Sequence, residues 1–142
     1  MKIIDFAFMN YLDKANKCYK KYVNKEFKKK LIITFDQWLI LKNIYENCTI
    51  TQKELAKNIL KDVASVNRII KSLIKLKYIN YDSVILKRKK KDLTVTNEGL
   101  KIMNEASIII ENSTKKALMN IETSQGVGTS NILKTFISNC QQ

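Results

Sequence analysis

The sequence predicts a mainly α-helical chain carrying one small β-hairpin. The 142 residues include no proline and only three glycines, Gly99, Gly126 and Gly128, which favours long, seldom-broken helices over a multi-turn β-sandwich. Apolar residues recur three and four positions apart along most of the length, the period of helices that bury one face. After Ile79 the pattern turns to alternation. There Leu93-Thr94-Val95-Thr96 reads as a short strand pairing with the segment 78–85, and Lys87-Arg88-Lys89-Lys90 falls near the turn. A hydrophobic share of 45% is enough for a core, and the length suits one domain, or one domain with a dimerisation appendage.

The first helix is expected from Ile3 to Phe27, with Ile4, Phe8, Leu12, Ala15, Tyr19 and Val23 along one face. It ends at Lys28-Lys29-Lys30, a run that suits a helix C-terminus and reads as a cap on a solvated face rather than as a nucleic-acid contact. Thr34 is a fit N-cap for a second helix, Phe35 to Glu46, with Trp38, Leu41 and Tyr45 on its inner face. Thr51-Gln52-Lys53-Glu54 has the capping-box pattern and opens a third helix that buries Leu55, Ala56 and Ile59. A break at Leu60-Lys61 leads to Asp62, the N-cap of a fourth helix burying Val66, Ile69, Ile70, Leu73 and Leu76. Thr96-Asn97-Glu98-Gly99 opens a fifth, with Leu100, Met103, Ala106, Ile110, Ala117 and Ile121 in one stripe. The polar segment Thr123 to Asn131 is expected to be a flexible connector before a last amphipathic helix with Ile132, Leu133, Phe136, Ile137 and Cys140.

Several chemistries lack their parts. Without histidine there is no Ser-His or Cys-His nucleophile and no histidine-ligated zinc. There is no glycine-rich phosphate loop and no metal-ligand spacing, and the carboxylates are scattered singly, so neither catalysis nor a cofactor is expected. Cys18, Cys48 and Cys140 are odd in number and far apart. They are expected to be core hydrophobes or surface thiols, with a redox-sensing role for one of them as the alternative. No stretch approaches the roughly 18 apolar residues of a membrane span. Asp5 and Asp13 interrupt the N-terminal apolar stretch, so no signal peptide or membrane association is expected and the protein should be cytoplasmic.

The formal net charge is +13, and its distribution says more than its size. Residues 62–91 hold nine basic side chains, including both arginines, Arg68 and Arg88, against Asp62 and Asp82 alone, which makes +7 of the total. A polyanion is the natural partner of such a segment. Helix, tight turn, helix and basic hairpin together form a helix-turn-helix with a wing. In that arrangement the first turns of the later helix meet base edges in the major groove. Ala64, Ser65, Asn67, Arg68 and Lys71 lie on the outward face, while positions 63, 66, 69, 70 and 73 point inward. Asparagine can read adenine, arginine guanine, and serine either. Lys87, Arg88, Lys89 and Lys90 admit two readings. They form a solvated hairpin tip, or a cationic finger whose arginine enters the minor groove while the lysines meet phosphates.

Four motifs, in order and covering nearly the whole chain, resemble the MarR family of regulators. Ile33-Thr34-Phe35-Asp36-Gln37-Trp38 is similar to its LTxxQW opening, and Thr51-Gln52-Lys53-Glu54-Leu55-Ala56 to its T-x-x-E-L-A helix. Ser65-Val66-Asn67-Arg68-Ile69-Ile70 through Leu73 is similar to its recognition helix, and Val95-Thr96-Asn97-Glu98-Gly99 to the segment that closes its wing. The resemblance implies a winged helix-turn-helix at residues 31–96, flanked by helical dimerisation regions at 1–30 and 97–142. It implies a homodimer with the first, fifth and sixth helices interlocked, and long apolar stripes on those helices ask independently for a partner. It further implies a pseudo-palindromic operator, usually repressed, and release by a small-molecule effector or an oxidant. A winged-helix dimer that binds protein instead of DNA is the alternative.

The chain also departs from the family. Tyr81, Lys87 and Lys89 stand where the resemblance implies the wing's arginine, its aspartate partner and a DNA-contacting arginine. Lys77 replaces a glycine that commonly ends the recognition helix, and Cys18 is not at the family's peroxide-sensing position. On this reading Lys90→Ala weakens binding to every duplex alike and lowers the slope of log affinity against log salt by about one, checked by titration over a salt series.

Overall fold

A computed structural model describes residues 3–82 and 92–142 of the chain. Six helices and one hairpin follow in the order α1 (Ile3–Lys28), α2 (Phe35–Glu46), α3 (Gln52–Ile59), α4 (Val63–Lys75), β1 (Ile79–Asp82), β2 (Asp92–Val95), α5 (Asn97–Ala117) and α6 (Thr123–Cys140). The strands are antiparallel, with Ile79 opposite Val95 and Tyr81 opposite Leu93. Among the described residues, no helix is long and apolar enough to cross a membrane.

The helix starts form as their side chains dictate. Thr34 and Thr51 each accept from the backbone N–H three residues on, while Gln37 and Glu54 reach back to the cap N–H at 2.8 and 2.7 Å. These reciprocal bonds satisfy donors that a helix N-terminus otherwise leaves unpaired. A single core joins the elements: Val23 and Phe27 of α1, Ile40, Leu41 and Ile44 of α2, Leu55 of α3, and Val66, Ile70 and Leu73 of α4. Ile79 and Leu93 of the hairpin and Ala106 of α5 close it, and every one is almost wholly buried. Each large aliphatic side chain so buried contributes about 1.5–3 kcal/mol.

Polar ties fix how α1 and α5 sit on this core. Trp38 Nε1 donates to Ser107 Oγ at 3.1 Å, and the Tyr19 and Thr114 hydroxyls share a hydrogen bond of 2.9 Å. Asp36, in the first turn of α2, receives Lys20 from α1 at 3.3 Å and Lys61 from the α3–α4 turn at 3.2 Å. The base of the hairpin is held just as closely. Thr96 Oγ1 donates to the Lys77 carbonyl at 2.7 Å and accepts from Gly99 N–H at 3.0 Å, and Thr96 N–H donates to the Tyr78 carbonyl at 3.0 Å. Residue 99 has to be glycine, because a Cβ there would overlap the Tyr78 carbonyl oxygen.

Three expectations need correction. Thr123–Asn131 is not a connector but the first half of α6. Gln125 Oε1 accepts from Glu122 N–H at 3.0 Å to start that helix, and the Thr129 and Thr135 hydroxyls bond carbonyls four residues back instead of competing with the helix. Gly126 and Gly128 face open space there, at a cost of about 1 kcal/mol each relative to alanine. Tyr45 and Val63, expected inside, are 59% and 46% exposed because each lies at the margin of its helix's apolar stripe. α5 ends at Ala117, so Ile121 falls beyond its stripe in the bend before α6. All three cysteines are exposed free thiols, the surface branch of the expectation.

Lys77 has φ 61°, in the left-handed region where an L side chain is disfavoured. Its side chain is exposed, so glycine removes that strain without leaving a hole. Lys77→Gly is expected to raise stability by about 1 kcal/mol, read as a higher urea midpoint at unchanged slope.

Candidate nucleic-acid interface

The leading turns of α4 present one continuous polar edge. Asp62 Oδ1 caps the helix by accepting from Ser65 N–H at 2.8 Å, and its second oxygen accepts from the Ser65 hydroxyl at 2.6 Å. Ser65 Oγ in turn accepts from an Arg68 guanidinium N–H at 3.0 Å. Residues three apart on a helix are neighbours, so Asp62, Ser65 and Arg68 line up as a chain of hydrogen bonds along one side of α4. This alignment aims the guanidinium outward while leaving its other donors uncommitted among the described residues.

The outward residues expected from sequence are brought together, with one change in emphasis. Ala64, Arg68 and Lys71 are exposed on α4, and Asn67 and Ser65 are half-buried beside them. The hydroxyl proton of Ser65 is spent on Asp62, so Ser65 serves first to position Arg68 and retains only acceptor capacity for a base or sugar. On the opposite face Val66, Ile70 and Leu73 are fully buried, which fixes the rotation of the helix and hence the direction of Arg68. Lys87, Arg88, Lys89 and Lys90 lie outside the described residues.

Sequence reasoning missed the rim beside this edge. Gln37 Nε2 donates to Ser72 Oγ at 2.8 Å and joins the start of α2 to the middle of α4. Thr34, Gln37, Ser65, Arg68, Ile69 and Ser72 line a shallow cleft of about 330 Å³ next to the guanidinium. The motif that contains Thr34 and Gln37 was legible as a helix start, but its approach to α4 depends on tertiary packing. The three-residue spacing of Asp62, Ser65 and Arg68 was itself a usable signal.

Electrostatics favours the same arrangement. The Ser65 hydroxyl bond, then the Ser65 N–H, and more weakly the Arg68 charge hold the Asp62 carboxyl below its ordinary value, against a small opposing effect of burial. A depressed carboxyl adds stability that is present above its unfolded value, about 4, and lost as pH falls through the lower folded value. Asp62→Asn keeps a capping side chain and removes the charge. The stability gap between wild type and this variant is expected at neutral pH and should close as pH drops below about 4 in urea melts. A gap that does not change with pH would show that the carboxylate charge contributes nothing.

With this geometry in place, likeness to other proteins is informative. Residues 37–80, which run from α2 into β1, match the family described as winged helix-turn-helix DNA-binding. Over the whole chain, the fold is similar to that of a MarR/EmrR family transcriptional regulator from Acinetobacter sp. ADP1, with TM-score 0.85, 20% identity, and coverage of 100% of this chain and 99% of that one. It is similar to Staphylococcus aureus MarR in complex with salicylate and kanamycin, with TM-score 0.84, 20% identity, and coverage of 99% and 94%. It is also similar to S. aureus MepR in a DNA complex, with TM-score 0.81, 17% identity, and coverage of 96% and 98%. No curated protein matches at the level of sequence. From its capped α4 to its long flanking helices, the chain has the winged helix-turn-helix fold of the MarR-family transcriptional regulators.

Proposed function

We propose that the protein is a MarR-type transcriptional regulator, a cytoplasmic homodimer that binds a pseudo-palindromic operator in double-stranded DNA, acts as a repressor and is released by a small ligand. The observation that carries this reading is the outward edge of α4, where Arg68 is held at 3.0 Å by Ser65 and accompanied by Lys71, with no acidic residue after Asp62. Asn67 and Arg68 would meet base edges in the major groove, and Lys71 the backbone. Lys87, Arg88, Lys89 and Lys90 would supply the wing's phosphate and minor-groove contacts.

The homodimer is supported by apolar surface that the single chain leaves open. Phe6, Met9 and Tyr11 of α1, Leu118, Met119 and Ile121 after α5, and Val127, Ile132 and Ile137 of α6 are all exposed. So many large apolar side chains gathered on the flanking helices suit an interface between copies. Salicylate bound to S. aureus MarR and DNA bound to MepR support the effector and operator parts of the reading.

Arg68→Ala is expected to cost about 1–3 kcal/mol on the best operator selected from a random duplex library, and much less on random DNA. Equal losses on both would overturn base reading by Arg68. A chain that selects no sequence and binds independently of salt would point to a protein partner instead.

A further inference from the structure

The lysine run that ends α1 does more than cap a helix. Lys29 and Lys30 join Lys116 of α5 around a cavity of about 220 Å³ between the two helices, with Tyr22, Glu26 and Ser113 also on its wall. We propose that this cavity is a binding site for a small polar oxyanion, a phosphate ester or dicarboxylate, separate from the DNA-facing edge of α4.

Four observations support it. Ser113 is 97% buried, yet its hydroxyl makes no hydrogen bond with any described residue, although Ser107 and Thr114 on the same helix bond the carbonyl four residues back. Among the described residues no sealed side-chain oxygen lacks a partner, so this hydroxyl opens to the cavity, where an entering acceptor can take its proton. The charges are arranged for an anion. Lys29 closes on Glu26 at 2.7 Å, and that hydrogen bond first, then the nearby charges of Lys29, Lys116 and Lys25, hold the carboxyl below its ordinary value against the effect of burial. This leaves Lys30 and Lys116 without an ion pair among the described residues, so the wall carries a surplus of two positive charges. The cavity is smaller than the roughly 300–1,000 Å³ typical of drug-sized ligands, so a compact anion fits better than a large one. Its wall is more polar than apolar, which disfavours an aromatic monoacid.

Site and DNA edge can be separated by experiment, and the inference does not rest on the DNA reading. Calorimetric titration of the full chain with inorganic phosphate, succinate and benzoate, at ionic strength held constant with chloride, is the test. Phosphate or succinate is expected to bind at one site per chain and more tightly than benzoate, and whichever binds identifies the source of the oxyanion. The double variant Lys30→Gln, Lys116→Gln should weaken that binding about tenfold or more, and Ser113→Ala a few-fold. Arg68→Ala should bind the anion as wild type does. Absence of binding beyond chloride, unchanged affinity in the lysine double variant, tighter binding of benzoate, or loss in Arg68→Ala would each overturn the proposal.

Discussion

Two carbonyl groups just past the end of α4, those of Lys77 and Tyr78, set the geometry of everything around them. Thr96 takes both, one through its hydroxyl and one through its N–H, and then caps α5 with the same hydroxyl oxygen. Three elements therefore share one point: the end of α4, the base of the hairpin and the start of α5. Gly99 permits the approach because it has no side chain to hold the helix off. The left-handed turn at Lys77 delivers the chain into β1 at the right angle, and the site tolerates its strain because neighbouring bonds over-determine it. Without this junction, α4 would have no fixed orientation relative to the wing or to the long helix that carries it.

Orientation of the polar edge of α4 then follows by short steps. Burial of Val66, Ile70 and Leu73 fixes the rotation of α4, the Asp62 cap fixes where it begins, and Ser65 passes that position to Arg68. Asp36 performs the equivalent task for the scaffold by binding Lys20 and Lys61 from different elements. Each of these half-exposed ion pairs adds less than about 1 kcal/mol, so their contribution lies in alignment more than in stability.

Much of this was legible in the sequence because it is written in local chemistry. Thr34, Thr51 and Asp62 announce helix starts by side-chain type and spacing, and the switch from helical to alternating period after Ile79 marks the hairpin. α6 was harder. Its first half is built from serine, threonine, glycine and asparagine, residues that favour turns, and only hydroxyl bonds to preceding carbonyls and a glutamine at the start make it helical. Tyr45 and Val63 show the limit of reading faces from spacing alone, since a stripe's margin is set by what packs beside it. The cavity between α1 and α5 was invisible for a different reason. It requires Lys30 and Ser113, far apart in the chain, to meet where α1 packs on α5, and a lysine run seen alone is indistinguishable from a solvated cap.

α6 hides none of its own side chains within the chain that contains it, and the Phe136 ring against Phe8 is its aromatic link to α1. A helix with so little at its back opens at the low end of a protein's range of local stabilities. Its backbone amides are then the first to exchange with solvent, and its peptide bonds the first a protease reaches, whenever nothing lies against it. Slow exchange along this one segment is thus a direct gauge of whether another surface has covered it.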